Sequence, residues 1–272
     1  MTALAGWCRF AVAAATASLF LTAARALAAE PADAVRYPYV AALSRTSDAG
    51  RVYFCAGALV APRWILTAAH CFHSRSGVRI ATRDLWAMVG RDRLGNAEET
   101  AQVGIDRIVL LPGYDPSSQE NDLALVRLAD IAGPLIAEAA GPADDPAQAT
   151  ALGFGSFYEG RLAGRALSSK GQPTAQASNS LRRSRLLLVM GAECWRYGGS
   201  RDMGMAVCAT ASPDEACVGD SGGPLIVEAA EGADRLLGVL SVGSGCAVAE
   251  PRLGYTRVAP YAGWIAETIA AD

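Results

Sequence analysis

Lysine is almost absent from this chain. Of its 24 basic residues, Lys170 alone is lysine and the others are arginine. With abundant alanine, that bias points to a GC-rich, bacterial genome and carries no functional information. An excess of one charge is also missing. The 24 basic and 27 acidic residues leave a net charge of −3, so there is no basic surplus to attract nucleic acid or an anionic membrane surface. Histidine is limited to two residues and no C-x-x-C pair occurs, which weighs against a metal site of the zinc type. No acidic loop has calcium-ligand spacing, and "RDRLGNAEET", residues 91–100, is too irregular to serve as one. No internal repeat is visible. Beyond residue 28 no stretch is long and apolar enough to cross a bilayer.

What is present is apolar and long enough to fold. The chain has 272 residues and is 51% hydrophobic, which excludes global disorder and suits one large domain or two smaller ones. The first residues read "MTALAGWCRFAVAAATASLFLTAARALAAE". A short start with Arg9, an apolar run and the small residues Ala26-Leu27-Ala28 predict a secretory signal peptide over 1–28. A single membrane anchor is the competing reading, but the run is alanine-rich and Arg25 interrupts its end. Of the seven cysteines, Cys8 would leave with that peptide. The remaining six, Cys55, Cys71, Cys194, Cys208, Cys217 and Cys246, suit three disulfides in an oxidising compartment.

Periodicity favours strands. "YPYVAAL", "FCAGALVA", "RWILTAA", "IDRIVLL", "LALVRL", "LLLVM", "PLIVE" and "LLGVLSVG" are short apolar runs set between turn signals. Such spacing indicates an all-β sandwich or barrel. One helix is expected at the end, where "VAPYAGWIAETIAAD" places Val258, Tyr261, Trp264, Ile265 and Ile269 roughly on one face. The Ala-, Pro- and Asp-rich segment 134–146 reads as a linker, and 159–180 as a mobile surface loop.

Three segments carry chemistry: "ILTAAHC" with His70, "ENDLALVRL" with Asp122 and "GDSGGPL" with Ser221. A serine is a poor nucleophile without a base in hydrogen-bond reach, and the base needs a third group to fix its tautomer. His, Asp and Ser are the residue types of that relay. Each alone has an ordinary structural explanation; the three together point to nucleophilic catalysis. His73, in "FHSRSG", is expected at the surface.

The sequence resembles the chymotrypsin/trypsin family of serine proteases. The likeness rests on "YPYVAAL", "FCAGALVAPRWILTAAHC", "QENDLALVRL", "ATALGFGS", "CVGDSGGPLIV", "LLGVLSVGSGC" and "GYTRVAPYAGWIAETI", which follow in family order. It implies an all-β fold of two antiparallel six-stranded Greek-key barrels and a C-terminal helix. Residues 29–133 would form the barrel carrying His70 and Asp122, and 147–272 the barrel carrying Ser221. The resemblance makes Ser221 the nucleophile, His70 the general base and acid, and Asp122 the orienting carboxylate. The backbone N–H groups of Gly219 and Ser221 would form the oxyanion hole, and Asp220 would pair with a new N-terminal ammonium. The implied disulfides are Cys55–Cys71, Cys194–Cys208 and Cys217–Cys246. No metal or cofactor is implied. The partners would be a protein or peptide substrate and protein inhibitors, not nucleic acid and, after signal cleavage, not a membrane. A secreted or periplasmic monomer is expected.

Two departures bear on specificity and activation. By the resemblance, the primary pocket would be lined by Glu215, Ala216, Ser241, Val242, Gly243, Gly245 and Leu253. Glu215 stands six residues before Ser221, where trypsin-like members have Asp, and a carboxylate there favours Arg or Lys before the cut bond. Glu, longer than Asp, would make the pocket shallower, and Leu253, where such members have Gly, would partly fill it. A one-residue shift would instead bring Arg252 close enough to neutralise Glu215. A small apolar or no simple preference is the alternative. The family's I-V-G-G start is missing, and the equivalent terminus falls near Ala26, within reach of signal cleavage.

Overall fold

The computed structural model describes residues 30–48, 50–73, 80–94, 102–132, 138–139, 146–155, 180–189, 194, 204–210, 221–230, 233–243 and 252–272. The segment 1–28 expected as a signal peptide lies outside these residues. So do nearly all of 134–146 and 159–180. No helix among the described residues is long and apolar enough to cross a membrane.

The first barrel is built from β2 (Val40–Ser47), β3 (Gly50–Ala61), β4 (Trp64–Thr67), β5 (Leu85–Val89), β6 (Val103–Leu110) and β7 (Ala124–Leu128). Its strands close in the order β2-β3-β4-β7-β6-β5, every pairing antiparallel. The second comprises β9 (Gln148–Gly153), β10 (Arg182–Val189), β11 (Ala206–Thr210), β12 (Pro224–Val227), β13 (Arg235–Gly243) and β14 (Arg252–Arg257). Its order is β9-β10-β11-β14-β13-β12, and pairs of β9 with both β10 and β12 complete the circuit. The same permutation thus recurs in both halves, although the sequence shows no repeat. Closure leaves no unpaired edge along either circuit. Two short strands are appended to the second sheet: β1 (Glu30–Pro31) on β10 and β8 (Glu138–Ala139) on β13.

The apolar runs read from the sequence fall on these strands, and the all-β expectation holds. "YPYVAAL" is the partial exception: Tyr37, Pro38 and Tyr39 form the turn that leads into β2. Alternation is weak because many strands are covered on both faces. All four residues of β4 are buried, as are four of five in β7. One face fills the first barrel, and the other meets Phe154, Ile226, Leu236, Val239, Val258 and Ile265 from later in the chain. A separate cluster fills the second barrel, including Leu186, Val207, Leu225, Leu240, Leu253 and Tyr255. Helix α1 (Ala262–Ala270) follows a 3-10 turn over Ala259–Tyr261, and it turns Ile265, Trp264 and Ile269 onto the first cluster.

The N-terminal segment is held on the second barrel by polar contacts. Ala32 N–H donates to Leu181 O (3.0 Å), and both Arg36 Nη atoms reach Asp234 (2.7 Å each). The Asp234 side chain is fully buried. Burial alone would raise its pKa, but donors from Arg36, Tyr39 and the Ala229 N–H outweigh that and hold the carboxyl below its ordinary range.

Candidate active site

His70 sits in a 3-10 turn, Ala69–Phe72, that follows β4. The disulfide Cys55–Cys71 ties this turn to β3. Asp122 precedes β7, whose Ala124 pairs with Thr67 at the end of β4. Neighbouring strands of one barrel therefore deliver the histidine and the carboxylate to the same end.

Their contact is two-pronged. The His70 backbone N–H donates to Asp122 Oδ1 (2.8 Å), and His70 Nδ1 lies 2.7 Å from Asp122 Oδ2. The Asp122 side chain is fully buried, while that of His70 is 20% exposed. A buried carboxylate needs donors, so Nδ1 carries a proton in this arrangement and Nε2 is left as the acceptor. A third donor arrives from the second barrel: Ser241 Oγ reaches Asp122 Oδ2 at 2.5 Å. The resemblance put Ser241 in the pocket wall. Its hydroxyl turns instead to Asp122. Sequence reading missed that bond because it joins residues 119 positions apart on different barrels.

Ser221 begins the turn into β12. Its carbonyl oxygen accepts from Ala56 N–H (2.8 Å) and lies 3.9 Å from Cys71 Sγ. Gly222 N–H donates to Leu240 O, and Leu240 N–H donates to Gly223 O. Gly222 has φ +78°, and a Cβ there would fall 2.1 Å from Thr67 Oγ1 and 2.6 Å from Ala56 O. Only glycine permits this backbone and this approach. The serine turn is thus pressed against the end of β4, three residues before His70. Gly219, Asp220, Glu215, Ala216, Cys217, Gly245 and Cys246 lie outside the described residues, and with them the expected Cys217–Cys246 bridge. Cys194 and Cys208 are joined as expected.

The residues expected to line the pocket are described in part. Val242 pairs with Gly254, and Gly243 with Leu253, across β13 and β14. Leu253 is buried, and its Cδ2 lies 3.2 Å from where a Cβ on Gly243 would sit. Cys55, His70 and Cys71 cluster closely enough to suggest a metal site among the described residues. The disulfide consumes both sulfurs and Asp122 occupies His70 Nδ1, so the group offers no thiolate to an ion.

His73 departs from expectation. It is half-buried with its ring edge-on to Tyr114, because that aromatic covers the turn. Tyr114 itself is pushed up to about 12 by burial and by the charges of Asp122 and Asp115. Burial also raises Tyr37, Tyr39 and Tyr255. Below the ordinary tyrosine value of 10.0 both folded and unfolded chains keep these protons. Above it the unfolded chain releases them first, so stability falls as pH rises. The melting temperature is expected to drop steadily above pH about 10, with tyrosinate absorbance appearing as the protein unfolds. Titration of these tyrosines near 10 in a protein that stays folded would contradict this.

The geometry has counterparts in known proteins. The family model described as Trypsin matches residues 28–265. Coagulation factor XII of Cavia porcellus is 32% identical over 257 residues, covering 86% of this chain and 39% of that protein. The chain therefore spans well under half the length of that relative. Trypsin of Squalus acanthias is 30% identical over 227 residues, covering 80% of this chain and 87% of that protein. Among solved structures, the Vibrio cholerae VesB protease superposes with a TM-score of 0.66 at 25% identity, covering 89% of this chain and 67% of that one. The secreted serine protease VesC from Vibrio cholerae gives 0.66 at 21% identity, covering 88% and 48%, a likeness of fold. With the matched span covering both barrels and all three of His70, Asp122 and Ser221, the chain belongs to the trypsin family of serine proteases.

Proposed function

We propose that this protein is a secreted serine endopeptidase that cuts peptide bonds through an acyl-enzyme. The observation that carries the reading is the pair of hydrogen bonds from His70 to the buried Asp122. It leaves Nε2 free to accept, which is what a general base for a hydroxyl requires, and the serine turn packs on the end of β4, three residues before His70. Ser221 Oγ attacks the scissile carbonyl and His70 takes its proton. His70 then returns that proton to the leaving amine, and water repeats the sequence to free the acid. The N–H groups of Gly219 and Ser221 receive the negative oxygen, each such donor contributing roughly 3–4 kcal/mol in the transition state. Asp220 shapes that hole by pairing with the mature N-terminus. Natural partners are protein substrates and protein inhibitors, met by a monomer outside the cytoplasm. Secretion is supported by the signal-like segment 1–28 and by the two disulfides.

Specificity has two readings. Glu215 favours Arg or Lys before the cut bond. Leu253 favours a small apolar side chain, because it lies buried against the wall glycine Gly243. Amide substrates differing only in Arg, Lys, Ala, Phe or Glu at that position decide between them. Fastest cleavage after Arg or Lys supports Glu215, and fastest after Ala supports Leu253; fastest after Phe or Glu contradicts both. Leu253→Gly is expected to raise kcat/KM for the Arg substrate relative to the Ala substrate by about 10- to 100-fold, a difference typical of a reshaped pocket. An unchanged ratio would remove Leu253 from the pocket wall.

A further inference from the structure

Two non-glycine residues among those described have left-handed backbone, Gln119 (φ 58°) and Asn121 (φ 56°). Both lie in the turn that ends at Asp122. Such a conformation costs a side-chain-bearing residue of order 1 kcal/mol and persists only where its surroundings enforce it.

At Asn121 the enforcing contacts are specific. Its Nδ2 donates to Gly113 O at 3.0 Å, and its Oδ1 accepts from Tyr261 Oη at 2.6 Å. Tyr261 ends the 3-10 turn that leads into α1, 140 positions along the chain. Immediately after Asn121, Leu123 N–H donates to Asn121 O (2.8 Å), closing a three-residue turn centred on Asp122. Leu111 N–H donates to Leu123 O, which fixes the far side. On its inner side the turn is packed, with Leu123 fully buried in the first cluster. A narrow cavity lined by Gln119, Asn121, Ser241, Gly254 and Tyr255 lies between it and the second barrel. Buried Leu111 and Leu123 hold one side of this turn, and the Asn121 bonds hold the other, where they set the angle at which Asp122 leaves the backbone.

We propose that Tyr261 and Asn121 form a positioning pair that aims Asp122 at His70, so that docking of the C-terminal helix governs turnover. Neither residue touches substrate. Tyr261 fixes the Asn121 amide, the amide and Gly113 hold the left-handed backbone, and that backbone directs the carboxylate. The chain couples the last element of the fold to the centre of the site. The proposal rests on the reading of Ser221, His70 and Asp122 as a catalytic relay, and its test separates the two.

The test uses the mature full-length protein with Tyr261→Phe, Asn121→Gly and the double variant. Tyr261→Phe removes one hydroxyl. Asn121→Gly keeps the left-handed backbone accessible while removing both side-chain bonds. Kinetics are read as kcat and KM separately, and the His70–Asp122 bond is read by the downfield proton signal of the His70 ring. His73 is the only other histidine and serves as the internal control. Tyr261→Phe is expected to lower kcat about 3- to 10-fold, the range of one lost hydrogen bond, with KM within about twofold. Asn121→Gly is expected to lower kcat about 10- to 100-fold, as small misplacements of a catalytic group do. The double variant is expected to match Asn121→Gly, since both changes break one chain of contacts. In each variant the His70 proton signal moves and that of His73 does not. Lowered melting temperature with unchanged kcat and an unmoved His70 signal would overturn the pair. If the wild-type protein has no Ser221-dependent turnover, the functional reading fails, and the His70 signal still decides whether Tyr261 and Asn121 aim Asp122.

Discussion

Ser221→Ala is expected to lower kcat by about 10⁶ and leave the melting temperature almost unchanged. The size is that of removing the nucleophile from a serine protease relay. The fold should survive because the bonds that hold this turn are made by the backbone. Ala56 donates to the Ser221 carbonyl, Gly222 donates to Leu240, and Leu240 donates to Gly223. An alanine keeps all three. The close approach to β4 depends on Gly222, which is untouched. Steady-state kinetics beside thermal melts check the claim. Activity within about tenfold of wild type would remove Ser221 from the chemistry, and loss of folding would make it a structural residue.

Asp122→Asn is expected to lower kcat by about 10⁴, with KM changed far less. That magnitude is known for the matching substitution in a trypsin-family enzyme; the reason is legible in this structure. Asp122 Oδ1 accepts from the His70 backbone N–H, and Oδ2 accepts from His70 Nδ1 and Ser241 Oγ. An amide offers one oxygen and one NH₂. If the oxygen keeps the backbone bond, the NH₂ faces Nδ1 and Ser241. Ser241 can rotate its hydroxyl to accept, but the imidazole must shift its proton to Nε2. That nitrogen then cannot take a proton from Ser221. The fold should tolerate the change, since every donor and acceptor still finds a partner. A loss below about tenfold would mean that the carboxylate does not set the histidine's tautomer.

Much of the architecture was readable because its signals are local. Runs such as "RWILTAA" and "LALVRL" are short, apolar and bounded by turns, and they became β4 and β7. The Val258-to-Ile269 pattern became the 3-10 turn and α1. β5, "LWAMV", went unread although Gly90 (φ +63°) marks its end, because it is only five residues long and follows directly on a short 3-10 turn. That the two halves are barrels of one kind came from the family resemblance and not from a repeat, because topology repeats here without sequence repeating. At the site, the residue types and their order pointed to His70 and Asp122, and the structure joins them. What escaped were the long-range polar contacts outside the expected triad and disulfides. Ser241 on Asp122 and Tyr261 on Asn121 are pairs of ordinary polar residues, distant in sequence, whose roles exist only after both barrels have closed. The half-buried His73 belongs to the same class, because its cover, Tyr114, arrives from beyond β6.

In the proposed relay, Ser221 is activated by His70 and Asp122. The most direct measurement of that activation is covalent labelling by an organophosphonate ester, read by mass spectrometry of the intact protein and of its peptides. A single adduct on Ser221 is expected in the wild type, none in Ser221→Ala, and labelling slowed by orders of magnitude in Asp122→Asn. No adduct on the wild type, or an adduct at equal rate in all three proteins, would contradict it.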